Sequence, residues 1–474
     1  VPGTQRIWVK TYGCSHNHSD SEYMAGLLAE FGFELVHEAA VAQLWLVNSC
    51  TVKGPSQEHL LVDVRKAKVA GVPIVLAGCV SQAHPELELL AGLSIVGVEQ
   101  IDRIVEVVTL ALQGHSVRLL ARRTGAAAGV ESDGGPRGLP SLALPKVRRN
   151  SLVEVVPCNV GCLGSCTYCK TVHARGRLTS YPLAEILARV RSAVAEGIRE
   201  VWLTSEDTGA YGRDLGLDMP TLLRAIAEEA MPPNGEARLR VGMANPPYML
   251  EHLEEIGQIL QHPNVYRWLH VPVQSGSDKV LRGMNREYTI AEFRHVADSL
   301  LAAVPGLTLA TDVICGFPGE TKEDHIKTLA LISEYKFPVL NISQFYPRPG
   351  TPAARMAGKV PSQVVKQRTR EASALFASYE PHSFLIGEIV DGFVIETSAD
   401  GRYVVAHTCN YTQLLLTPVW PLPLKEAPGL KECLPADSPL MGARVRARVT
   451  SVGKFWAKGE VLALLSPRPP AAPA

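Results

Sequence analysis

With 47 Lys and Arg set against 47 Asp and Glu over 474 residues, net charge points to neither nucleic acid nor membrane, so any nucleic-acid site must be a local patch. The length exceeds one ordinary hydrophobic core, and 46% hydrophobic with 20% charged content is that of a soluble globular protein of two or three domains, with no apolar run near the roughly 18 residues of a membrane helix. Neither end resembles a signal peptide, which turns the ten cysteines away from a disulfide framework and towards metal ligation.

In chain order, RIWVKTYG reads as a buried strand and SDSEYMAGLLAEFG as a capped helix that stops at glycine. LWLVNS, PIVLAG and LSIVGV are further buried runs between helical patterns such as IDRIVEVVTLAL. They predict a doubly wound parallel sheet, an α/β domain over residues 1–121. Residues 122–148, rich in Gly and Ala without periodicity, read as a linker. A second βα series over 149–379 offers the strands SLVEVVP, EVWLTSE, RLRVGMA, WLHVPVQ, LTLATDVIC and VLNISQFY, each followed by a helix-length segment. Six repeats fit a partial, TIM-like βα barrel with its reactive groups at the carboxyl ends of the strands. Over 380–468 the pieces GEIVDGFVIE, GRYVVAHTCN, TQLLLTP, ARVRARVTSV and GEVLALLS predict a small β-barrel.

Cys162, Cys166 and Cys169 form a CxxxCxxC run directly after the first strand of the barrel series. Three thiolates on one loop can hold three irons of a [4Fe–4S] cluster and leave the fourth iron open. Structural zinc is the alternative, with Cys158 or His173 as fourth ligand; Cys158 otherwise reads as a buried thiol beneath the loop. Tyr168, just before the last cysteine, would pack against a ligand on the open iron. Cys14, Cys50 and Cys79 each follow a predicted parallel strand. In a doubly wound sheet those ends share one edge, so three cysteines distant in sequence converge on a second three-thiolate site. Cys315, Cys409 and Cys433 have no such company and read as core or surface thiols.

These features together resemble the radical S-adenosylmethionine (SAM) methylthiotransferases. TYGCSHNHSDSEYMAG, CTYCKTVHARG, LTSEDTGAYGRDLG, VPVQSGSDKVLRGMNREYT, TDVICGFPGET and QFYPRPGTPAA look like the archaeal and eukaryotic branch acting on N6-threonylcarbamoyladenosine in tRNA. Gly164 and Val172 depart from the residues common there, Asn and Lys, without touching a ligand. The resemblance implies two [4Fe–4S] clusters. The cluster on Cys162, Cys166 and Cys169 would chelate SAM and, once reduced, cleave it to a 5′-deoxyadenosyl radical that takes the hydrogen from adenine C2. The cluster on Cys14, Cys50 and Cys79 would supply methylated sulfur, with a second SAM giving the methyl group. It further implies tRNA with a lysine-type anticodon as partner, an electron donor, a sulfur source and a cytoplasmic location. Endoplasmic-reticulum association is expected if a C-terminal anchor, which animal members often carry, has been removed; the first residue is Val1 rather than Met, and trimmed ends are expected.

Strand ends supply the candidate SAM contacts: Ser205 and Glu206 for the methionine ammonium, Gln274, Ser275 and Ser277 for ribose or carboxylate, and Arg175 for the carboxylate. CGFPGE is tight enough for backbone to approach adenine. The threonyl arm carries a carboxylate, for which Arg348 is the first candidate cation and Arg213 the second. The last β-barrel resembles the TRAM-type RNA-binding domain. There Arg444, Arg446 and Arg448 alternate onto one strand face, followed by Lys454, Trp456 and Lys458, with Trp456 able to stack on a base. The linker bases Lys146, Arg148 and Arg149 are the alternative RNA footprint.

Overall fold

A computed structural model describes residues 3–51, 54–120, 138–418 and 438–467; Cys433 and the Gly/Ala-rich 121–137 lie outside them. The first unit runs β1 (Arg6–Thr11), α1 (Ser15–Phe31), β2 (Glu34–Val36), β3 (Leu44–Ser49), α2 (Gly54–Ala70), β4 (Ile74–Gly78), α3 (Cys79–Ala83), β5 (Ser94–Val96), α4 (Ile104–Leu112) and β6 (Arg118–Leu119). Its sheet is parallel in the order β2-β1-β3-β4-β5-β6. Leu60, Val64 and Ala67 of α2 pack on one face, while Met24 and Leu28 of α1 and Ile104 and Val107 of α4 pack on the other. The sheet is doubly wound, with helices on both faces of β3 and β4, which are buried along their whole length. The short edge strands β2 and β6 carry too few residues to show a period in the sequence.

The first helix begins four residues before the sequence pattern predicts. Cys14, in extended conformation, is its N-cap, and Gly32 at φ 111° closes it. Asn17, Ser19, Asp20, Ser21 and Glu22 are buried, because this helix lies against the second unit and spends polar side chains there; Ser19 Oγ, for example, donates to the carbonyl of Val155 at 3.1 Å. Its apolar periodicity is correspondingly blurred.

The second unit contains all six expected strands: β7 (Val153–Pro157), then β8 (Asn159–Val160), α5 (Thr171–Arg175), β9 (Thr179–Ser180), α6 (Leu183–Ala195), β10 (Glu200–Thr204), α7 (Met219–Ala225), β11 (Arg238–Arg240), α8 (Leu253–Leu260), β12 (Trp268–His270), α9 (Asp278–Gly283), α10 (Ile290–Ala303), β13 (Thr308–Cys315), α11 (Lys322–Tyr335), β14 (Val339–Gln344), α12 (Pro352–Arg355) and α13 (Ser362–Ala377). Parallel pairing runs β7-β10-β11 and β12-β13-β14, joined by a parallel bridge between Leu239 and Val265. Each strand neighbours the next in sequence, as in a βα barrel, and the barrel is partial.

The third unit is a closed five-stranded barrel of β15 (Ile389–Thr397), β16 (Val404–Thr408), β17 (Gln413–Leu416), β18 (Arg444–Val452) and β19 (Trp456–Ser466), in the order β15-β16-β17-β19-β18. It docks on the amino-terminal ends of the βα strands. Phe393 and Ile395 pack on Leu152 and Val153, and the buried Glu200 that opens β10 receives Tyr266 Oη at 2.5 Å and Trp202 Nε1 at 2.7 Å, with His407 Nδ1 of β16 at 2.7 Å.

Residues 138–150 do not hang free as a linker would. Leu139 and Leu142 enter the main core, and Lys146 Nζ donates to Glu154 at 2.9 Å and to the Val155 carbonyl at 2.6 Å. Arg148 pairs with Glu154 and Glu196. Lys146 and Arg148 are thereby consumed in a buried cluster, whereas Arg149 is exposed and gives its backbone N–H to Glu22.

Candidate active site

The first cysteine set lies where the sheet order puts it. Cys14 and Cys50 follow β1 and β3, the adjacent strands between which the order reverses, and Cys79 opens α3 at the end of the next strand, β4. Adjacent strands are about 4.8 Å apart, so these three ends form one ledge at the switch point. Glycines let the ledge close. A Cβ on Gly13, at φ +104°, would stand 2.4 Å from Cys50 Sγ, and one on Gly78, at φ +86°, 2.2 Å from Asn48 Oδ1. Cys14 is solvent-accessible, whereas Cys50 and Cys79 are buried. Burial pushes the free thiol of Cys79 up to about 12, against the pull of the Arg175 guanidinium. A buried thiol that resists ionisation becomes a ligand thiolate when a metal centre takes the place of its proton.

The second set sits on residues 161–170, at the carboxyl end of the βα barrel. This loop is pinned on two sides. Thr167 N–H donates to Met284 O and Thr167 Oγ1 to Gly283 O, each at 3.0 Å, and Ala353 N–H donates to Thr167 O at 2.9 Å. Asn285 Nδ2 reaches Ser165 O at 3.1 Å. Donors also aim at sulfur: Arg286 Nη1 lies 3.2 Å from Cys166 Sγ, and Thr171 N–H 3.3 Å from Cys169 Sγ. Donors aimed at sulfur suit ligating thiolates, whose charge they stabilise. Among the described residues no three His, Cys, Asp or Glu side chains gather round a single ion position; a cubane takes each thiolate on its own iron and needs no such gathering. Cys158 is fully buried in the main core, with its thiol pushed up to about 12 by burial, and His173 is exposed. Cys158 is therefore the buried thiol expected as one reading. Tyr168 packs edge-on to Phe317 at 6.4 Å in an apolar cluster with Met284 and Ala353.

Between the two sets runs a buried polar seam that the sequence analysis assigned differently. Arg175, expected at a SAM carboxylate, donates Nη2 to Asn17 Oδ1 at 2.7 Å and Asp20 Oδ2 at 2.5 Å, and its Nε lies 3.1 Å from Glu206. Glu206, expected at the SAM ammonium, accepts from Gly161 N–H at 2.9 Å and contacts His16 Nδ1 at 2.9 Å. Burial works against the Glu206 charge, but His16, Arg175 and the Gly161 amide outweigh it and hold the carboxyl below its usual range. Both residues bind α1 of the first unit to the cluster loop of the second, and their charges are already matched there. Ser205 Oγ receives Asp207 N–H at 3.1 Å, Ser275 meets Thr328 Oγ1 at 3.4 Å and Ser277 donates to Asp324 at 2.7 Å. The last two are fully buried, so their hydroxyls fix the loop after β12 to the start of α11 rather than facing the mouth. Gln274, at φ 68°, turns the chain there. In CGFPGE, Phe317 packs with Val280 and Met284, and Gly316 N–H donates to Glu320 at 2.8 Å.

Arg286 is the residue the sequence reading missed. Besides Cys166, it bonds Asn245 Oδ1, whose amide donates to Asp207 Oδ2 at 2.7 Å. One cation thus ties the cluster loop to the ends of β10 and β11. Arg213 pairs with Glu251 and lies over the Tyr248 ring at 5.0 Å; Arg348 is half-buried on the loop after β14.

On the small barrel the arginine face is not a free cationic stripe. Arg446 makes a bidentate pair with Asp391 at 2.8 and 3.0 Å, Arg444 lies near Asp391 and Glu236, and Arg448 faces Glu460 across the ladder. Lys454 caps the end of α13 through Phe376 O and Tyr379 O, Lys458 donates to Tyr403 Oη at 3.0 Å, and Trp456 is folded over Gly453.

Residues 156–332 match the radical SAM superfamily and residues 6–96 an uncharacterized protein family, UPF0004. The fold is similar to a radical S-adenosylmethionine methyltransferase, TsrM, from Kitasatospora setae solved with cobalamin and a [4Fe–4S] cluster, at TM-score 0.51 and 16% identity over 74% of this chain and 77% of that one. The threonylcarbamoyladenosine tRNA methylthiotransferases of Xenopus laevis and Homo sapiens are each 51% identical over 97% of this chain, which spans 78% and 74% of their lengths. A probable one from Pyrococcus abyssi is 36% identical over 87% of this chain and 93% of its own. A relative covering both cysteine sets and the seam between them at this identity leaves one assignment: the chain belongs to the threonylcarbamoyladenosine tRNA methylthiotransferase family.

Proposed function

We propose that this protein converts N6-threonylcarbamoyladenosine at position 37 of tRNA, beside the anticodon, to its 2-methylthio derivative. The observation that carries this reading is the meeting of two three-cysteine sets across one buried seam, each at the carboxyl end of a parallel sheet. The enzyme uses two [4Fe–4S] clusters and SAM: Cys162, Cys166 and Cys169 would hold one cluster, and Cys14, Cys50 and Cys79 the other. When bound, these groups supply reductive cleavage of SAM, hydrogen removal from a carbon with no acidic proton, and the sulfur and methyl that replace it.

The chain's own residues supply position and exclusion of water. Glu206 and Arg175 fix the distance between the two sets, since a shift of either unit would strip buried charges of their partners. Arg286 and the Thr171 amide steady the sulfurs of the loop set, and Tyr168 with Phe317 gives that set an apolar wall. Residues 1–121 then act as the sulfur-donating unit, 149–379 as the SAM-binding unit and 380–468 as an RNA-binding unit. The partners are a tRNA with a lysine-type anticodon, an electron donor and a sulfur source, and the cytoplasm, where mature tRNA is abundant, is the proposed compartment. No helix among the described residues is long and apolar enough to cross a membrane. Nucleoside mass spectrometry tests the reading: anaerobically loaded protein with SAM and reductant should add a methylthio group to a threonylcarbamoyladenosine stem-loop. Product on unmodified adenosine alone would refute it.

A further inference from the structure

Lys170 follows Cys169 directly, and its residue surface is only 4% exposed. Its stem is packed away while Nζ, which is not a fully buried atom, keeps contact with solvent. Among the described residues Lys170 forms no ion pair and no side-chain hydrogen bond. Every other buried cation near the two cysteine sets is satisfied: Arg175 by Asp20 and Glu206, Arg286 by Asn245 and Cys166. Glu86 of the first unit acts on Lys170 only through space, and its own partner is His84 at 3.4 Å.

The place of Lys170 is as informative as its lack of a partner. It heads α5, the helix that packs on α3, and α3 opens with Cys79. Lys170 is thus bonded directly to a residue of one cysteine set and carried by the helix that packs against the element opening with Cys79 of the other. Opposite is Gly350, on the loop that docks on Thr167; a Cβ there would come within 3.1 Å of Nζ, so glycine keeps that side of the ammonium open.

We propose that Lys170 binds the carboxylate of the substrate's threonyl arm and so makes the enzyme specific for a modified adenosine bearing an anion. This inference rests on the proposed substrate. It replaces Arg348 and Arg213 as first choice for that cation, because Arg213 is already paired and Arg348 lies further out on the Gly350 loop. A carboxylate arriving beside an unpaired ammonium on a packed, pre-positioned stem gains a charge-assisted hydrogen bond with little further ordering of the lysine.

The test uses loaded holoenzyme and three anticodon stem-loops carrying at position 37 the threonylcarbamoyl group, its carboxamide, or plain adenosine. Wild type should bind the carboxylate form more tightly than the carboxamide by on the order of 30-fold. Lys170→Met should bind the two alike, Lys170→Arg should keep much of the preference, and Lys170→Met should retain iron with a Tm equal to or above wild type. Three results would each overturn the proposal: a preference kept in Lys170→Met; lost iron or a lowered Tm, which would make the lysine structural; or loss of SAM affinity with RNA preference intact, which would assign it to the methionine carboxylate. Absence of any preference in wild type, with no methylthio product, would instead refute the proposed substrate.

Discussion

A single methylene decides whether the first cysteine ledge exists. Gly13→Ala would force a Cβ to 2.4 Å from Cys50 Sγ at a φ of +104°, so this variant should lose about half the iron, as should Cys14→Ala/Cys50→Ala/Cys79→Ala, while uncoupled SAM cleavage persists. Cys162→Ala/Cys166→Ala/Cys169→Ala should lose the other half and all cleavage; colorimetric iron and 5′-deoxyadenosine assays read both, and full iron in either triple variant would refute the two-site assignment. Arg286 offers a finer test. Its cationic hydrogen bond to Cys166 favours the reduced, more negative cluster, so Arg286→Met should retain iron but shift that cluster's midpoint to lower potential in an EPR titration. The cysteines were legible because strand ends are legible. Arg286 was not, because its partner lies 120 residues away and MNREYT carries no local sign of that contact.

At the scale of elements, buried runs gave away every central strand, whereas composition misled over residues 138–150. That segment follows a Gly/Ala-rich stretch, yet it is held by Glu154, a fully buried carboxylate on β7 that meets Lys146, Arg148 and Arg189. Burial opposes the Glu154 charge, and the three cations overcome it and hold the carboxyl at about 2. A depressed carboxyl contributes stability that is complete above the unfolded value of about 4.5 and drains away as pH falls towards about 2. Glu154→Gln should therefore cost about 3–5 kcal/mol at pH 7 by leaving buried cations unmatched. Its deficit against wild type should shrink steadily in urea melts below pH 4.5. A pH-independent deficit would mean that packing, not charge, holds the segment.

For the whole molecule the question is where tRNA lies. The small barrel docks at the amino-terminal ends of the βα strands, whereas the cysteines stand at the carboxyl ends, so its arginine strand is about a strand length, on the order of 17–20 Å, from the mouth. That strand is also nearly neutral as a surface, with Asp391, Glu236 and Glu460 facing its three arginines. Alternation in ARVRARV could be read from the sequence, but the acids opposite it come from other elements, Asp391 on β15, Glu460 on β19 and Glu236 just before β11, and could not. The mouth differs. Arg177 donates to Leu163 O on the cluster loop, and Arg282 and Arg355 lie on α9 and α12, beside the residues that pin that loop. All three are exposed, and none has an acidic partner among the described residues. Each phosphate contact releases about 0.7–0.9 of a counterion, so Arg177→Gln/Arg282→Gln/Arg355→Gln should flatten the salt dependence of tRNA affinity by about two to three units of slope. Arg444→Gln/Arg446→Gln/Arg448→Gln should flatten it by less, because an arginine already paired with a carboxylate gathers fewer counterions to release on the RNA. Affinities across a salt series separate the two faces: a larger loss from the strand triple than from the mouth triple would put the main phosphate track on the small barrel, with the anticodon loop reaching the cysteines from there.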